Sequence, residues 1–261
     1  MKHWRTALVG LLALLIIGFA LVWFMPARWA VPLLTARMNG IRLQEVSGQL
    51  WHGQAGQVLS AHGENLGQLN WQLSRRALLG DTQLQVNLRG PRVAFAGSMS
   101  GRAAADACWT DVQMRVDLDL FANSLMLPLG QPRGVVNITA KYIQLRGGWP
   151  LTLDAQMQWQ DASMRTPRHG ELSLGSLQMA LQGGNGVIEG HLNDAGDGPL
   201  RIDGRLQLSP LARRFTAEAA TQQPGSSLQR WLSGLGTTDA YGITHINYSG
   251  GLAAAVPRGN R

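Results

Sequence analysis

Apolar and polar residues alternate with a period of two along most of the chain. Leu84, Val86 and Leu88 take turns with Gln83, Gln85 and Asn87. Val112, Met114, Val116, Leu118 and Leu120 take turns with Asp111, Gln113, Arg115, Asp117 and Asp119. The rhythm returns at Val136, Ile138, Ala140 and Tyr142, at Leu151, Leu153, Ala155, Met157 and Trp159, and at Leu200, Ile202, Leu206 and Leu208. Successive side chains of a strand point to opposite faces, so each segment predicts a strand with one apolar and one polar face. Turn-forming clusters separate the segments: Gly90-Pro91, Gly147-Gly148, Gly183-Gly184-Asn185-Gly186 and Asn193 to Gly198. Most neighbouring strands have no helix-length segment between them, which predicts an antiparallel meander. A sheet with one apolar face has to cover it. With few helices to do so, an all-β fold is expected, curled on itself as a sandwich, partial barrel or trough.

Three stretches break the period. Ala7 to Met25 carries no charge, and at about 1.5 Å per helical residue it nearly spans a hydrocarbon core of about 30 Å. Lys2 and Arg5 precede it, which favours a cytoplasmic N-terminus, and Trp4 and Trp23 stand near its two ends, where indoles prefer the membrane interface. The run ends in Val22-Trp23-Phe24-Met25-Pro26, too bulky for signal cleavage, so an uncleaved anchor is expected. Trp29 to Met38 has helical spacing and predicts a short linker helix. Near the end, Ser226-Ser227 offers an N-cap, Leu228, Trp231, Leu232 and Leu235 follow at helical spacing, and Gly234 and Gly236 end the helix. A last strand is expected over Ile243 to Tyr248. The organisation expected is a cap and anchor over 1–25, a linker over 26–40, a β domain over 41–252 and a loose tail over 253–261.

One fixed offset carries Leu66-Gly67-Gln68-Leu69-Asn70-Trp71-Gln72-Leu73 onto Leu174-Gly175-Ser176-Leu177-Gln178-Met179-Ala180-Leu181, and Trp51 onto Trp159. In both copies the alternation changes phase at the glycine, which predicts a β-bulge at Gly67 and at Gly175. Two similar units are expected, at about 41–125 and 150–215.

Composition agrees with a sheet. The 261 residues are 45% hydrophobic and only 15% charged, with 32 glycines and 9 tryptophans. The net charge of +7 raises contact with anionic lipid or nucleic acid. The arginines are scattered, however, with Arg75-Arg76 and Arg213-Arg214 as the doublets, so a solvated basic surface is expected and no nucleic-acid role. Cys108 is the single cysteine and excludes an intrachain disulfide. The six histidines form no metal-binding spacing; Glu189 and His191 share a strand face but lack a third ligand. Gly97-Ser98-Met99-Ser100-Gly101 has Met where a nucleophile elbow needs Ser, and the stretches at 184–190 and 193–198 fall short of dinucleotide and calcium loops. No enzyme, catalytic residue, metal or cofactor is expected.

Two elements stand at suggestive spacing: Gly48-Gln49-Leu50-Trp51-His52-Gly53-Gln54-Ala55, and Leu66 to Leu73 with Gly67, Leu69 and Trp71. With Met25-Pro26-Ala27 before them and Leu79-Gly80, Leu235-Gly236, Asp239 and Tyr241-Gly242 after, the chain resembles the GspN family of type II secretion proteins. The resemblance implies a single-pass anchor in the inner membrane and a periplasmic β domain. It also implies a place in the machine that exports folded proteins across the outer membrane, as scaffold or tether. Partners implied are other subunits of the inner-membrane platform and the outer-membrane secretin. A lipid-handling trough like those of AsmA and TamB proteins is the alternative, with lipid contact along the apolar row. An outer-membrane barrel is the weaker rival, since the chain ends Gly-Asn-Arg.

Overall fold

The alternating segments pair in strict chain order. A computed structural model of the protein describes residues 24–29, 40–61, 63–121 and 130–251. The strands are β1 (Arg42–Gly48), β2 (His52–Leu59), β3 (Asn65–Leu73), β4 (Thr82–Arg89), β5 (Val93–Gly101), β6 (Cys108–Asp117) and β7 (Gln131–Arg146). There follow β8 (Trp149–Thr166), β9 (Gly170–Gly184), β10 (Val187–Asp194), β11 (Leu200–Leu208), β12 (Ala212–Thr221), β13 (Thr237–Thr238) and β14 (Thr244–Gly251). They form one 14-stranded sheet in the order β1 to β12, then β14, then β13. Every ladder is antiparallel.

This corrects the sandwich expectation. Each strand pairs with its neighbour in sequence through β12, so no strand crosses to a second sheet. The sheet is also open: β1 lies at one end of the strand order and β13 at the other. A closed outer-membrane barrel is therefore excluded for the described residues. They contain no helix long and apolar enough to cross a membrane. The apolar run at 7–25, except its last two residues, lies outside them, as do Trp4, Trp23, most of the predicted linker helix and the tail.

Tight turns fall where the glycines are. Gly147 and Gly148 have φ of 58° and 80°, and Asn185 and Gly186 have φ of 52° and 78°. Two consecutive residues in the left-handed region match a hairpin turn to the right-handed twist of its strands. One predicted strand is shorter than its pattern. β6 stops at Asp117, and Leu118 to Phe121 form a 3-10 turn instead. The Asp117 carboxylate accepts from the Asp119 backbone N–H at 2.9 Å and from Arg92 Nε at 3.0 Å, folding the chain away from the ladder.

Both predicted bulges are present. Val58 faces Gly67 and Ala162 faces Gly175, with a register shift on either side in each hairpin. The two glycines have φ of 127° and 87°, and each presses on the backbone of the next turn, Gly67 on Gly90 and Gly175 on Gly198. A side chain has no room in either place. The tryptophans do not follow this symmetry. Trp159 lies in β8 opposite Leu177, whereas Leu69 faces Ala55 and Trp51 precedes β2.

The apolar face is covered most fully in its C-terminal part. Helix α1 (Ser227–Ser233) is capped by Ser226, whose hydroxyl accepts from the Gln229 N–H at 3.3 Å. Leu228 and Leu232 of α1 are buried among Ala162, Leu172, Leu177, Ala217, Ala219 and Ile246. The small side chains of Ala217 and Ala219 let the helix approach the sheet. A second cluster joins Val112, Ala140, Leu153, Ala155 and Ile188, with Phe95 edge-on to Trp109 at 5.8 Å.

Candidate functional site

The two sequence elements singled out above converge on one hairpin. Gly48 turns the chain with φ of 87° and pairs with Gly53. The Gln49 N–H donates to the His52 carbonyl at 2.8 Å and the His52 N–H returns to the Gln49 carbonyl at 3.2 Å, leaving Leu50 and Trp51 at the tip. The Trp51 side chain, only 1% exposed, is the bulkiest fully buried one among the described residues. Its carbonyl accepts from the Leu73 N–H at 2.7 Å.

The second element runs alongside. Ladder pairs are Gly53 with Trp71, Ala55 with Leu69 and Val58 with Gly67. The Trp71 ring lies over Gly53 so closely that a Cβ at position 53 would sit inside it. The indole Nε1 then reaches the Leu50 carbonyl at 3.0 Å. Leu66 is the extra residue at the register shift, between Asn65 and Gly67. The motif residues Gly48, Leu50, Trp51, Gly53, Leu66, Gly67, Leu69, Trp71 and Leu73 therefore form one structural unit. Gly supplies flat backbone and Trp the ring that lies on it.

This unit grips the segment that follows the apolar run. The Leu50 N–H donates to the Met25 carbonyl at 3.0 Å, and Pro26 forms a β-bridge with Gln49. The Trp29 N–H closes a turn on the Pro26 carbonyl at 3.1 Å, with Ala27 buried beneath. Sequence reasoning missed this clasp. Its contacts are main-chain, and main-chain partners leave no side-chain signature at either position.

The chemistry of the site is that of packing. His52 is exposed beside the clasp. Elsewhere, His191 meets Asp203 at 3.3 Å, and Glu189 stands exposed two residues away. His245 stands between Glu218 at 3.6 Å and Asp239 at 3.5 Å. These are exposed contacts between a histidine and a carboxylate, worth little each. Among the described residues no group of three His, Cys, Asp or Glu comes together as a metal site. Two carboxyls are held below the ordinary aspartate range by hydrogen-bond donors, Asp197 by a residue of β9 and Asp239 by its own turn. For Asp197 the Ser176 hydroxyl and N–H are the main cause, and for Asp239 the Ile243 N–H is. Cys108 is a half-buried free thiol at the start of β6.

Comparison with known proteins gives a consistent result. The family model for type II secretion system protein N matches residues 39–247. Type II secretion system protein N of Aeromonas hydrophila is 28% identical over 254 residues, covering 94% of this chain and 98% of that protein. Its Vibrio cholerae counterpart is 31% identical over 182 residues, covering 64% of this chain and 67% of that protein. No solved structure matches significantly. The matched stretch takes in the clasp hairpin, both glycine bulges and nearly the whole sheet, and on that footing the chain belongs to the type II secretion system protein N family.

Proposed function

We propose that this component of the type II secretion system is a periplasmic scaffold, held at the inner membrane by the apolar run at 7–25. It tethers partner subunits of the platform, with the secretin as a further partner, while folded proteins are exported. It does no chemistry of its own. The observation that carries the reading is the clasp. Main-chain bonding from Leu50 to Met25 fixes the sheet to the residue that ends the apolar run. A domain joined to its anchor this way has a set position on the membrane, unlike one on a flexible linker. The matching glycine contacts, Gly67 on Gly90 and Gly175 on Gly198, support two related units at about 41–125 and 150–215 within the one sheet.

Replacing residues 1–25 by a cleaved secretory signal tests the reading. The released β domain should accumulate in the periplasm at normal level while secretion of folded proteins falls at least several-fold. Undiminished secretion with a released domain would overturn it.

One observation favours a second reading, lipid handling. Helix α1 covers the apolar face only around β8 to β12 and β14. Leu69, Trp71, Leu84, Val86, Leu88, Phe95 and Met99 stay half-buried along β3 to β5. Stoichiometric phospholipid on the purified protein, detected by mass spectrometry, would shift the assignment to that reading.

A further inference from the structure

The turn between β3 and β4 presents an unusual tip. Leu79 is 87% exposed and Leu78 49%, while Arg75 and Arg76 beside them are exposed too. Scattered single apolar residues are ordinary on a protein surface. This pair is held outward by a bonded backbone. Ser74 caps the 3-10 turn Arg75–Leu79 through its hydroxyl, which accepts from the Arg76 N–H at 3.3 Å. The Gly80 N–H bonds the Ala77 carbonyl at 3.1 Å, and the Asp81 N–H bonds the Arg76 carbonyl at 3.1 Å. Gly80, at φ of 85°, ends the turn without strain. The Ser74 N–H bonds Gln83 at 2.8 Å, closing the base. The leucines therefore cannot fold back without breaking the cap.

The position of this tip gives it meaning. It starts one residue after Leu73, whose N–H bonds Trp51 in the clasp. The tip and the end of the apolar run thus share one end of the sheet. Phe24 and Trp29 of the clasped segment are likewise exposed there. Apolar tips flanked by arginines suit the boundary between acyl chains and anionic headgroups.

We infer that Leu78 and Leu79, with Arg75 and Arg76, form a second membrane contact that inserts into the bilayer surface beside the anchor and fixes the tilt of the sheet. The inference rests on the anchored reading above, and it goes beyond that reading in naming the surface and its partner, an anionic bilayer.

The test uses the full chain in nanodiscs of phosphatidylethanolamine and phosphatidylglycerol, in a Cys108→Ala background. An environment-sensitive fluorophore is attached in turn at Leu79→Cys, at Tyr241→Cys and at Leu15→Cys. Tyr241 is 90% exposed in the loop before β14, at the opposite end of the strands. Spin-labelled lipid should quench the label at 79 several-fold more than the label at 241. Equal quenching at 79 and 241, whether weak or strong, overturns the inference. The label at 15 separates the two failures. If it is quenched while that at 79 stays water-like, only the second contact falls. If it too stays water-like, the anchored reading falls and takes this inference with it.

Discussion

Gly53 and Trp71 show how one pair of side chains sets local structure. The ring needs the bare backbone of the glycine beneath it, and its indole N–H needs the Leu50 carbonyl. Gly53→Val inserts atoms where the ring lies and should cost about 1–3 kcal/mol by overpacking. Trp71→Phe keeps most of the ring, leaves the Leu50 carbonyl short of a donor and should cost about 1 kcal/mol. Urea unfolding followed by circular dichroism reads both values. Because the two residues touch, the costs should not add, and a double variant Gly53→Val with Trp71→Leu should recover part of the loss. Wild-type stability for Gly53→Val would refute the contact. The alternation shows that Trp71 belongs to the apolar phase of its strand. Its partner depends on register, which is a property of two strands and cannot be read from one.

At the scale of elements, α1 is the piece most fully written in the chain. Its cap residue, its apolar stripe and its closing glycine were all legible, and the observed helix starts at Ser227 and ends at Ser233 before Gly234. A helix this short gains most of its stability from docking, because nucleation costs more than two turns return. Leu232, 2% exposed, carries that docking. Leu232→Ala should cost about 2–5 kcal/mol and expose the helix to proteolysis. Ser226→Ala, which removes only the cap, should cost about 1 kcal/mol. Limited proteolysis with mass mapping distinguishes them: cleavage within 227–233 is expected for the first and little change for the second. The predicted bulges at Gly67 and Gly175 were legible for a related reason. A phase change in a period-two pattern is a local event that the residues themselves record. The premature end of β6 was not, because Arg92 reaches Asp117 from outside the strand.

The described strands form a row of antiparallel neighbours, and stability should vary along that row. β7 and β8 are the longest strands, at 16 and 18 residues, and each has a neighbour on both sides. β1 is an edge strand of 7 residues in which Glu45 has φ of 54°. Edge backbone groups open to water more readily than those flanked by two ladders. Amide hydrogen exchange should be slowest in β7 to β9 and fastest in β1 and β13. If β1 nevertheless exchanges as slowly as β8, something covers that edge in solution.

The sequence alone determined the strand-rich character, the near-neighbour pairing, the helix near the end, both bulges and the family resemblance. All of these follow from residue order over a few positions, which is the range that alternation, caps and turn chemistry record. Only the tertiary structure decided that the sheet is single and open, that two separate motifs form one hairpin unit, and that this unit holds Met25. Those facts depend on which strands meet and on main-chain groups that every residue carries alike, so no side-chain pattern encodes them. The outward placement of Leu78 and Leu79 has the same origin: two leucines in a row say little until a capped turn exposes them at the clasp end of the sheet.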